Sequence, residues 1–153
     1  MKLATLCYIK KNGKTLMIHR IKREGDMMYE KWNGIGGKFN AGESPEDCVV
    51  REVWEESGLK IKNPLLKGII SFPNNLSTGE DWYVFVFIAA KFSGKLKENE
   101  EGHLDWIDDD KLLTLNIQPA DKIFLPLLNQ PKIFSAKFIL KDFHLSDYTV
   151  TFY

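Results

Sequence analysis

The pattern of apolar and polar positions predicts strands before, between and after two helices. Strands are indicated where short apolar or alternating runs, rich in β-branched and aromatic residues, lie between turn residues. The predicted strands cover residues 3–10, 14–20, 65–72, 81–92, 103–107, 134–140 and 148–153. Asn12-Gly13 joins the first two strands and is a strong signal for a tight hairpin. The last two strands are predicted to pair as a terminal hairpin around Lys141-Asp142.

The run WYVFVFIAA within residues 81–92 is almost continuously hydrophobic. A strand with one solvated face alternates apolar and polar side chains, whereas a strand buried on both faces does not. We therefore predict a central strand here, with most of its aromatic residues in the core. Trp82, at the start of the run, is the exception and is expected to line a pocket.

A helix is predicted at about residues 45–57. Ser44 suits the N-cap, and Pro45 suits the first helical position because its missing N–H costs no hydrogen bond there. Asp47 follows Ser44 by three residues, nearly a capping box, and Gly58 is a typical residue for ending a helix. On a helical wheel the apolar residues share one side: Val49, Val50, Val53 and Trp54.

Three carboxylates project from the opposite side of this helix, those of Glu52, Glu55 and Glu56. Like charges three and four residues apart destabilise an isolated helix, so a positive partner has to offset their repulsion. Clustered carboxylate oxygens suit the hard cations Mg²⁺ and Mn²⁺. The alternative for any glutamate-rich helix is a solvated acidic face.

A second helix is predicted at about residues 119–129, opened by Pro119. Its apolar face is formed by Ile123, Phe124, Leu127 and Leu128. Pro126 is expected to kink this helix or divide it into two short pieces. A short capped helical turn is predicted at residues 108–113. Together these elements predict an α/β sandwich, with a mixed β-sheet between two helices.

The composition fits one domain spanning residues 1–153, with 44% hydrophobic and 27% charged residues. Lys plus Arg and Asp plus Glu number 21 each, so no basic excess indicates a polymeric nucleic-acid partner. No apolar run reaches the roughly 20 residues of a membrane span. Cys7 and Cys48 form no disulfide framework, and the first residues lack a signal-peptide pattern. We therefore expect a cytoplasmic protein that contacts no membrane.

Several polar residues outside the helices are candidates for binding. Arg20 ends the second strand, and a guanidinium group binds phosphate oxygens with two hydrogen bonds. The segment WNGIGGK, residues 32–38, contains glycines that let the backbone approach a ligand closely, and Lys38 can neutralise phosphate charge. For both Arg20 and Lys38 the alternative is a solvated surface charge. The Met27-Met28 pair is either ordinary packing or an apolar lip on a ligand pocket.

The loop at residues 93–102 is polar and acidic. It contains Glu98, Glu100 and Glu101, and plain solvation is the alternative to a functional role for each of them. His103 begins the next strand and is interpreted as a surface residue, because no second His or Cys lies at metal-ligand spacing.

The stretch from Gly37 to Leu59 fits the pattern G-x(5)-E-x(7)-R-E-U-x-E-E-x-G-U, in which U is aliphatic. The defined positions are filled by Gly37, Glu43, Arg51, Glu52, Val53, Glu55, Glu56, Gly58 and Leu59. This stretch resembles the Nudix box, the signature of hydrolases of nucleoside diphosphates linked to another moiety. The segments WNGIGGK, EEGHLDW, FLPLL and FSAKF resemble the MutT-like 8-oxo-dGTP diphosphatase branch, so the resemblance covers nearly the whole chain.

The resemblance implies metal-dependent hydrolysis of oxidised purine nucleoside triphosphates, such as 8-oxo-dGTP, to the monophosphate and pyrophosphate. It implies that Mg²⁺, or Mn²⁺, is held by the Gly36 carbonyl group and by Glu52, Glu55 and Glu56, with help from Glu101. The expected catalytic set consists of Glu52, Glu55, Glu56, Glu43 and Arg51. In this set Arg51 is expected to orient carboxylates through salt bridges and not to act as the catalyst.

The resemblance also implies substrate contacts. Arg20 and Lys38 match positions near the phosphates, where Gly36 and Gly37 give the backbone close access. Asn33 matches a base-recognition position.

Asp121 matches one of two aspartates that read the oxidised purine in the animal members, and we expect the helix dipole to favour its ionised form. Ala120 stands in place of the other aspartate and Gln118 in place of a base-stacking tryptophan. These two departures concern substrate preference and leave the catalytic assignment intact.

Two alternatives remain open. One is a Nudix hydrolase of another nucleoside diphosphate derivative, such as ADP-ribose or a dinucleotide polyphosphate. The other is a non-catalytic Nudix module that only binds nucleotide or a regulatory partner, against which the intact set of Glu52, Glu55, Glu56 and Arg51 argues. The expected partner is a small-molecule nucleotide, and the chain is expected to be a monomer or a homodimer.

Overall fold

The structure is a computed structural model that describes residues 1–22, 24–25, 28–75, 78–97, 99–142 and 144–153. The strands in these ranges are β1 Lys2–Lys11, β2 Lys14–His19, β3 Trp32–Asn33, β4 Leu59–Lys62, β5 Leu65–Phe72, β6 Trp82–Ala89, β7 Lys91–Gly94, β8 His103–Asp108, β9 Phe134–Lys141 and β10 His144–Phe152. The α-helices are α1 Pro45–Ser57 and α2 Pro119–Phe124, and the 3₁₀ helices are Asp109–Thr114 and Leu125–Asn129.

Eight of these strands form one mixed sheet. Its order is β10-β9-β5-β6-β1-β2-β3, and β8 also pairs with β2. Strand β1 runs parallel to β6 and β5 runs parallel to β9, whereas the other neighbouring pairs are antiparallel. Strands β4 and β7 form a separate antiparallel pair. The predicted mixed sheet and terminal hairpin are therefore confirmed.

Strand β1 contributes to two hydrophobic cores, because successive side chains of a strand face opposite sides of the sheet. Tyr8 packs in the core that contains Phe124 of α2. Cys7 packs in the core that contains Val49 and Val53 of α1. One helix therefore covers each face of the sheet, and the predicted α/β sandwich is confirmed.

Helix α1 has the bounds that its capping residues predict. The Ser44 hydroxyl oxygen accepts a hydrogen bond from the Asp47 N–H, and the Asp47 carboxylate accepts one from the Ser44 N–H, each at 3.0 Å. This reciprocal pair is a complete capping box. At the other end, Gly58 has a φ of 79°, the left-handed conformation that glycine adopts at low cost.

The placement of Trp54 on the apolar face of α1 is wrong. Its side chain is 56% exposed, whereas Val49 and Val53 are fully buried. The ammonium group of Lys97 lies 4.8 Å from the centre of the Trp54 ring. The ring therefore packs under a cation at the surface, where an aromatic face and an ammonium group attract each other.

The central strand predicted within residues 81–92 is confirmed, because β6 lies between β5 and β1, but the structure contains a second strand in this range. β6 ends at Ala89, and the second strand, β7, pairs with β4. β4 was not predicted from the sequence, although its side chains alternate between buried and exposed. The second predicted helix is divided as expected, with α2 ending at Phe124 and a 3₁₀ helix containing Pro126 following it.

Among the described helices, none is long and apolar enough to cross a membrane.

Candidate active site

The glycine-rich segment before α1 lies against β1. Backbone hydrogen bonds join Cys7 to Ile35 in both directions, at 2.7 and 3.0 Å, and the Thr5 N–H donates to the Gly37 carbonyl oxygen at 2.8 Å. A Cβ atom at Gly36 would overlap the Thr5 carbonyl oxygen, and one at Gly37 would overlap the Glu52 carboxylate. Glycine at both positions lets this segment lie directly between the sheet and the carboxylates of α1.

Arg51 is the centre of an ion-pair network beside this segment. Its Nε and Nη2 donate to the two carboxylate oxygens of Glu43, at 2.6 and 2.8 Å. Its Nη1 donates to Glu52 at 2.8 Å and to Glu55 at 3.1 Å, and Nη2 also donates to the Lys38 carbonyl oxygen at 2.9 Å. Arg51 therefore ties the glycine-rich segment to two glutamates of the helix.

The network shifts the pKa of both members of its strongest pair. Hydrogen bonds from Arg51 and from the Asn40 N–H lower the pKa of Glu43 to about 2. Hydrogen bonds to Glu43 and Glu52 raise the pKa of Arg51. Glu43 is therefore ionised throughout the neutral range and engaged with Arg51, which suits it to hold the arginine and not to accept a proton.

Glu56 has one carboxylate oxygen, Oε2, that is buried and without a hydrogen-bond partner in the described part of the chain. Burial raises the pKa of Glu56 to about 8, and the charges of Glu101 and Glu52 add to this increase. Arg20 and a hydrogen bond from the Gly36 backbone act in the opposite direction. Arg20 also donates to the Glu101 carboxylate at 2.9 Å. A carboxyl group with this pKa requires additional positive charge to be fully ionised at neutral pH.

Two cavities meet at these carboxylates. The larger, about 540 Å³, is lined by Glu52, Glu55, Glu56, Lys97, Asn99, Glu100 and Glu101. The smaller, about 370 Å³, is lined by Ala4, Arg20, Gly36, Gly37, Lys38, Glu52, Glu56, Trp82 and Glu101. Glu52, Glu56 and Glu101 thus line both cavities, and Trp82 lines a cavity as predicted. The Lys38 ammonium group lies 5.6 Å from the centre of the Trp82 ring.

The donor groups of these cavities fit a hard divalent cation, which prefers carboxylate and carbonyl oxygens. Among the described residues the Glu56 Oε2 has no hydrogen-bond partner, and it is a buried polar atom that such a cation would satisfy. Over the ranges that the structure describes, no three Asp, Glu, His or Cys side chains are already arranged to hold a metal ion. Arg51 and Arg20 bond to the carboxylates instead, so a cation has to compete with two guanidinium groups for the same oxygens.

Gly34, the residue after Asn33, and Asp121 both lie near Tyr8. The chain at Gly34 passes so close to the Tyr8 ring that a Cβ atom there would lie 2.9 Å from it. The Tyr8 hydroxyl group is buried and has no hydrogen-bond partner among the described residues. Burial, followed by the charge of Asp121, raises the pKa of Tyr8. The Asn33 side-chain oxygen accepts a hydrogen bond from the Gly34 N–H at 2.9 Å.

The expectation that the helix dipole keeps Asp121 ionised is wrong. Asp121 is only 6% exposed, and burial raises its pKa to about 7. Helix α2 has six residues, so its dipole is small, and the loss of hydration outweighs it. Residue 120 is an alanine and adds no neighbouring carboxylate, yet the pKa of Asp121 is still well above that of an exposed aspartate.

Three further sequence candidates lie at the edges of these regions. Met28 contacts the Gln118 amide, with the Gln118 Nε2 2.8 Å from its sulfur, whereas Met27 lies outside the described residues. Glu98 also lies outside them. His103 is exposed, which agrees with its interpretation as a surface residue.

Tyr8 and Asn99 are not among the candidate residues predicted from the sequence. Tyr8 carried a usable signal, a hydroxyl group inside an apolar strand. Asn99 carried none, because one asparagine in an acidic loop has no diagnostic spacing. In the structure the Asn99 amide donates to the Glu56 carbonyl oxygen at 2.7 Å and accepts from the Glu101 N–H at 2.7 Å.

Comparison with known proteins places this site in a family. The sequence model of the NUDIX domain matches residues 2–128. The chain is 37% identical over 112 residues to the oxidized purine nucleoside triphosphate hydrolase of Mus musculus, a match that covers 73% of this chain and 71% of that protein. Its match to the Danio rerio protein of the same name is 34% identical over 137 residues and covers 90% and 85%.

The crystal structure of the mutator MutT protein from Bacillus halodurans superposes with a TM-score of 0.86 at 32% sequence identity. The superposition covers 98% of this chain and 97% of that one. Since the domain model matches most of the chain and these relatives exceed 30% identity over most of their own lengths, the chain belongs to the MutT-like branch of the Nudix hydrolase family.

Proposed function

We propose that this Nudix hydrolase converts purine nucleoside triphosphates, with oxidised purines such as 8-oxo-dGTP preferred, to the monophosphate and pyrophosphate. The reaction requires Mg²⁺ or Mn²⁺. The observation that carries the proposal is the cluster of Glu52, Glu56 and Glu101, which lines both cavities. It contains a buried oxygen that has no hydrogen-bond partner among the described residues. The names of the mouse and zebrafish relatives support the substrate class. We place the activity in the cytoplasm, as sanitation of the nucleotide pool.

Glu52, Glu55 and Glu56, the Gly36 carbonyl group and Glu101 would hold the divalent cations. Bound cations neutralise phosphate charge and lower the pKa of a coordinated water. Glu56 has a pKa of about 8, so its deprotonation at neutral pH is coupled to the arrival of positive charge. Metal affinity is therefore expected to rise with pH.

The chain's own residues supply positioning and charge. Phosphoryl transfer depends chiefly on these two contributions. Arg20 and Lys38 line the smaller cavity, where their side chains are placed to bind phosphate oxygens. The pair of Glu43 and Arg51 holds the glycine-rich segment against α1. A carboxylate of the cluster takes the proton of the water that attacks an internal phosphorus atom.

Base selection is assigned to the region around Tyr8. The Asn33 amide offers both a donor and an acceptor to a base edge. The Asp121 carboxyl group, with a pKa of about 7, donates to an oxo group when protonated and accepts from a ring N–H when ionised. Gln118 in place of an aromatic residue removes a stacking surface, so we expect only a modest preference for the oxidised base.

A substrate panel tests the proposal. We expect kcat/KM in Mg²⁺ to decrease in the order 8-oxo-dGTP, dGTP, dCTP, with pyrophosphate as product and no turnover after chelation of the metal. Equal values for these three nucleotides would refute the base selection. A higher value for ADP-ribose or a dinucleotide polyphosphate would assign the site to that substrate class. Binding without turnover of any nucleotide would identify a non-catalytic module.

A further inference from the structure

Asn99 links the acidic loop to the C-terminal end of α1. Its Nδ2 donates to the Glu56 carbonyl oxygen at 2.7 Å, and its Oδ1 accepts from the Glu101 N–H at 2.7 Å. The Glu56 carbonyl belongs to the last turn of the helix, where carbonyl groups lack a partner within the helix. Asn99 is only 9% exposed. One buried amide therefore bonds the backbone of both residues, whose side chains line the same two cavities.

The rest of the loop docks on the same helix end. The Lys97 N–H donates to the Ser57 carbonyl oxygen at 3.0 Å. Gly58 lies so close to the loop that a Cβ atom there would be 2.6 Å from the Lys95 carbonyl oxygen. Lys22 donates to the Asn99 carbonyl oxygen at 2.7 Å. Of these attachments, the side-chain amide of Asn99 is the one that reaches Glu101 directly.

In the described part of the chain, Glu101 is held by its link to Asn99 and by an ion pair with Arg20. Its side chain lines both cavities together with that of Glu56. Strand β8 begins only at His103, so Glu101 is not held by sheet hydrogen bonds. The Arg20 side chain holds the Glu101 carboxylate, but that bond is one with which a cation competes.

We propose that Asn99 is a positioning residue that fixes the separation of the Glu56 and Glu101 carboxylates and thereby pre-organises the cation site. This inference rests on the proposed function, in which both carboxylates hold a divalent cation. A cation bridges two carboxylates favourably only if their backbones already stand at the required spacing. Asn99 supplies that spacing through bonds to the backbone and itself occupies neither carboxylate.

Two variants separate the link from local loop structure. Asn99→Ala removes both side-chain hydrogen bonds. In Asn99→Ser the hydroxyl oxygen can still accept a hydrogen bond from the Glu101 N–H, as in a serine turn. The serine side chain is too short to reach the Glu56 carbonyl oxygen. Gln130→Ala is the matched control, because the Gln130 side chain also bonds main-chain groups, those of Leu127 and Lys132, and lines neither cavity.

The measurement is Mn²⁺ binding to the substrate-free protein, read from the electron paramagnetic resonance signal of the free ion. We expect both Asn99 variants to bind Mn²⁺ about 10- to 100-fold more weakly, the range for losing a group that orients a metal ligand. Their kcat in Mg²⁺ should fall, whereas KM for the nucleotide should change little. The Gln130→Ala variant should bind Mn²⁺ with wild-type affinity even if it is less stable.

Wild-type Mn²⁺ affinity in a folded Asn99→Ala protein would overturn the inference. If that variant does not fold, Asn99→Ser decides by the same measurement, since it preserves the local turn. A wild-type protein that binds no Mn²⁺ would refute the proposed function itself. If the wild type binds Mn²⁺ and both Asn99 variants bind it with the same affinity, only the role of Asn99 is refuted.

Discussion

At the scale of the residue, Glu56 lines both cavities, and its buried Oε2 has no hydrogen-bond partner in the described ranges. Glu56→Gln preserves the side-chain shape and removes the charge that would attract a cation. We expect kcat/KM to fall by much more than tenfold, a loss above about 1.4 kcal/mol in transition-state stabilisation. Pyrophosphate release in Mg²⁺ measures this change.

The matched control for this prediction is Glu46→Gln, the same substitution at an exposed position in the first turn of α1. It should leave turnover unchanged. Activity of Glu56→Gln within tenfold of the wild-type value would remove Glu56 from the proposed metal site.

Asp121 gives the chain a second pH-dependent carboxyl group. Its pKa is raised from an ordinary value of 3.8 to about 7 by burial, so the folded state binds more protons than the unfolded state between these values. This contribution to stability is complete below pH 3.8 and is lost as pH rises through 7. The asparagine of Asp121→Asn does not titrate. We therefore expect the melting temperature of this variant, minus that of the wild type, to be higher at pH 8 than at pH 5.

Thermal unfolding in the presence of a chelator at these two pH values tests the expectation. Asp110→Asn, at an exposed position of the 3₁₀ helix, is the control and should show no such change with pH. A pH-independent difference between Asp121→Asn and the wild type would mean that Asp121 is ionised in the folded protein.

At the scale of the element, the end of α1 combines a left-handed backbone with close contact to the following loop. Gly58→Ala requires alanine at a φ of 79° and places a Cβ atom against the Lys95 carbonyl oxygen. We expect a loss of stability clearly above the roughly 1–2 kcal/mol of the backbone conformation alone, because the loop has to move. Since that loop carries Glu101, turnover should fall as well.

Gly13→Ala isolates the backbone contribution, because Gly13 has a φ of 74° and no atom within 4 Å of the added Cβ. Urea denaturation and pyrophosphate release, measured on both variants, distinguish the two effects. Equal losses of stability, with activity intact in both, would show that the contact with Lys95 has no consequence.

The bounds of α1 follow from the sequence because capping is local chemistry. Ser44, Asp47 and Gly58 each act within a few residues of the helix ends, and the spacing of the glutamates along a helix sets their common face. Pairing of β4 with β7 joins segments about thirty residues apart, and no local pattern encodes it. The site divides in the same way, since the pKa of Asp121 and the bonds of Asn99 depend on what the fold packs around them.

At the scale of the whole molecule, the terminal hairpin is part of the core although the NUDIX domain match ends at residue 128. Phe138 of β9 is fully buried, with ring centres 5.8 Å from Phe72, 6.5 Å from Phe124 and 5.9 Å from Tyr148. Phe138→Ala should therefore cost about 3–5 kcal/mol of unfolding free energy. Chemical denaturation measures this loss.

Lys137→Ala is the control for this prediction, on the exposed side of the same strand. It should change the free energy of unfolding by no more than about 0.5 kcal/mol. Similar small effects for both variants would mean that the hairpin is an appendage and not a structural part of the domain.

The parallel pairing of β1 with β6 has a consequence for the order of folding. The first two strands are adjacent in the chain and can form a hairpin within microseconds. The other edge of β1 pairs with residues 82–89, so Lys2 cannot form its strand pairing until Trp82 has been synthesised. During synthesis on the ribosome, that edge stays open until more than half of the chain has been made. We expect this long loop closure to slow formation of the sheet, during which the unpaired edge of β1 remains open to wrong partners.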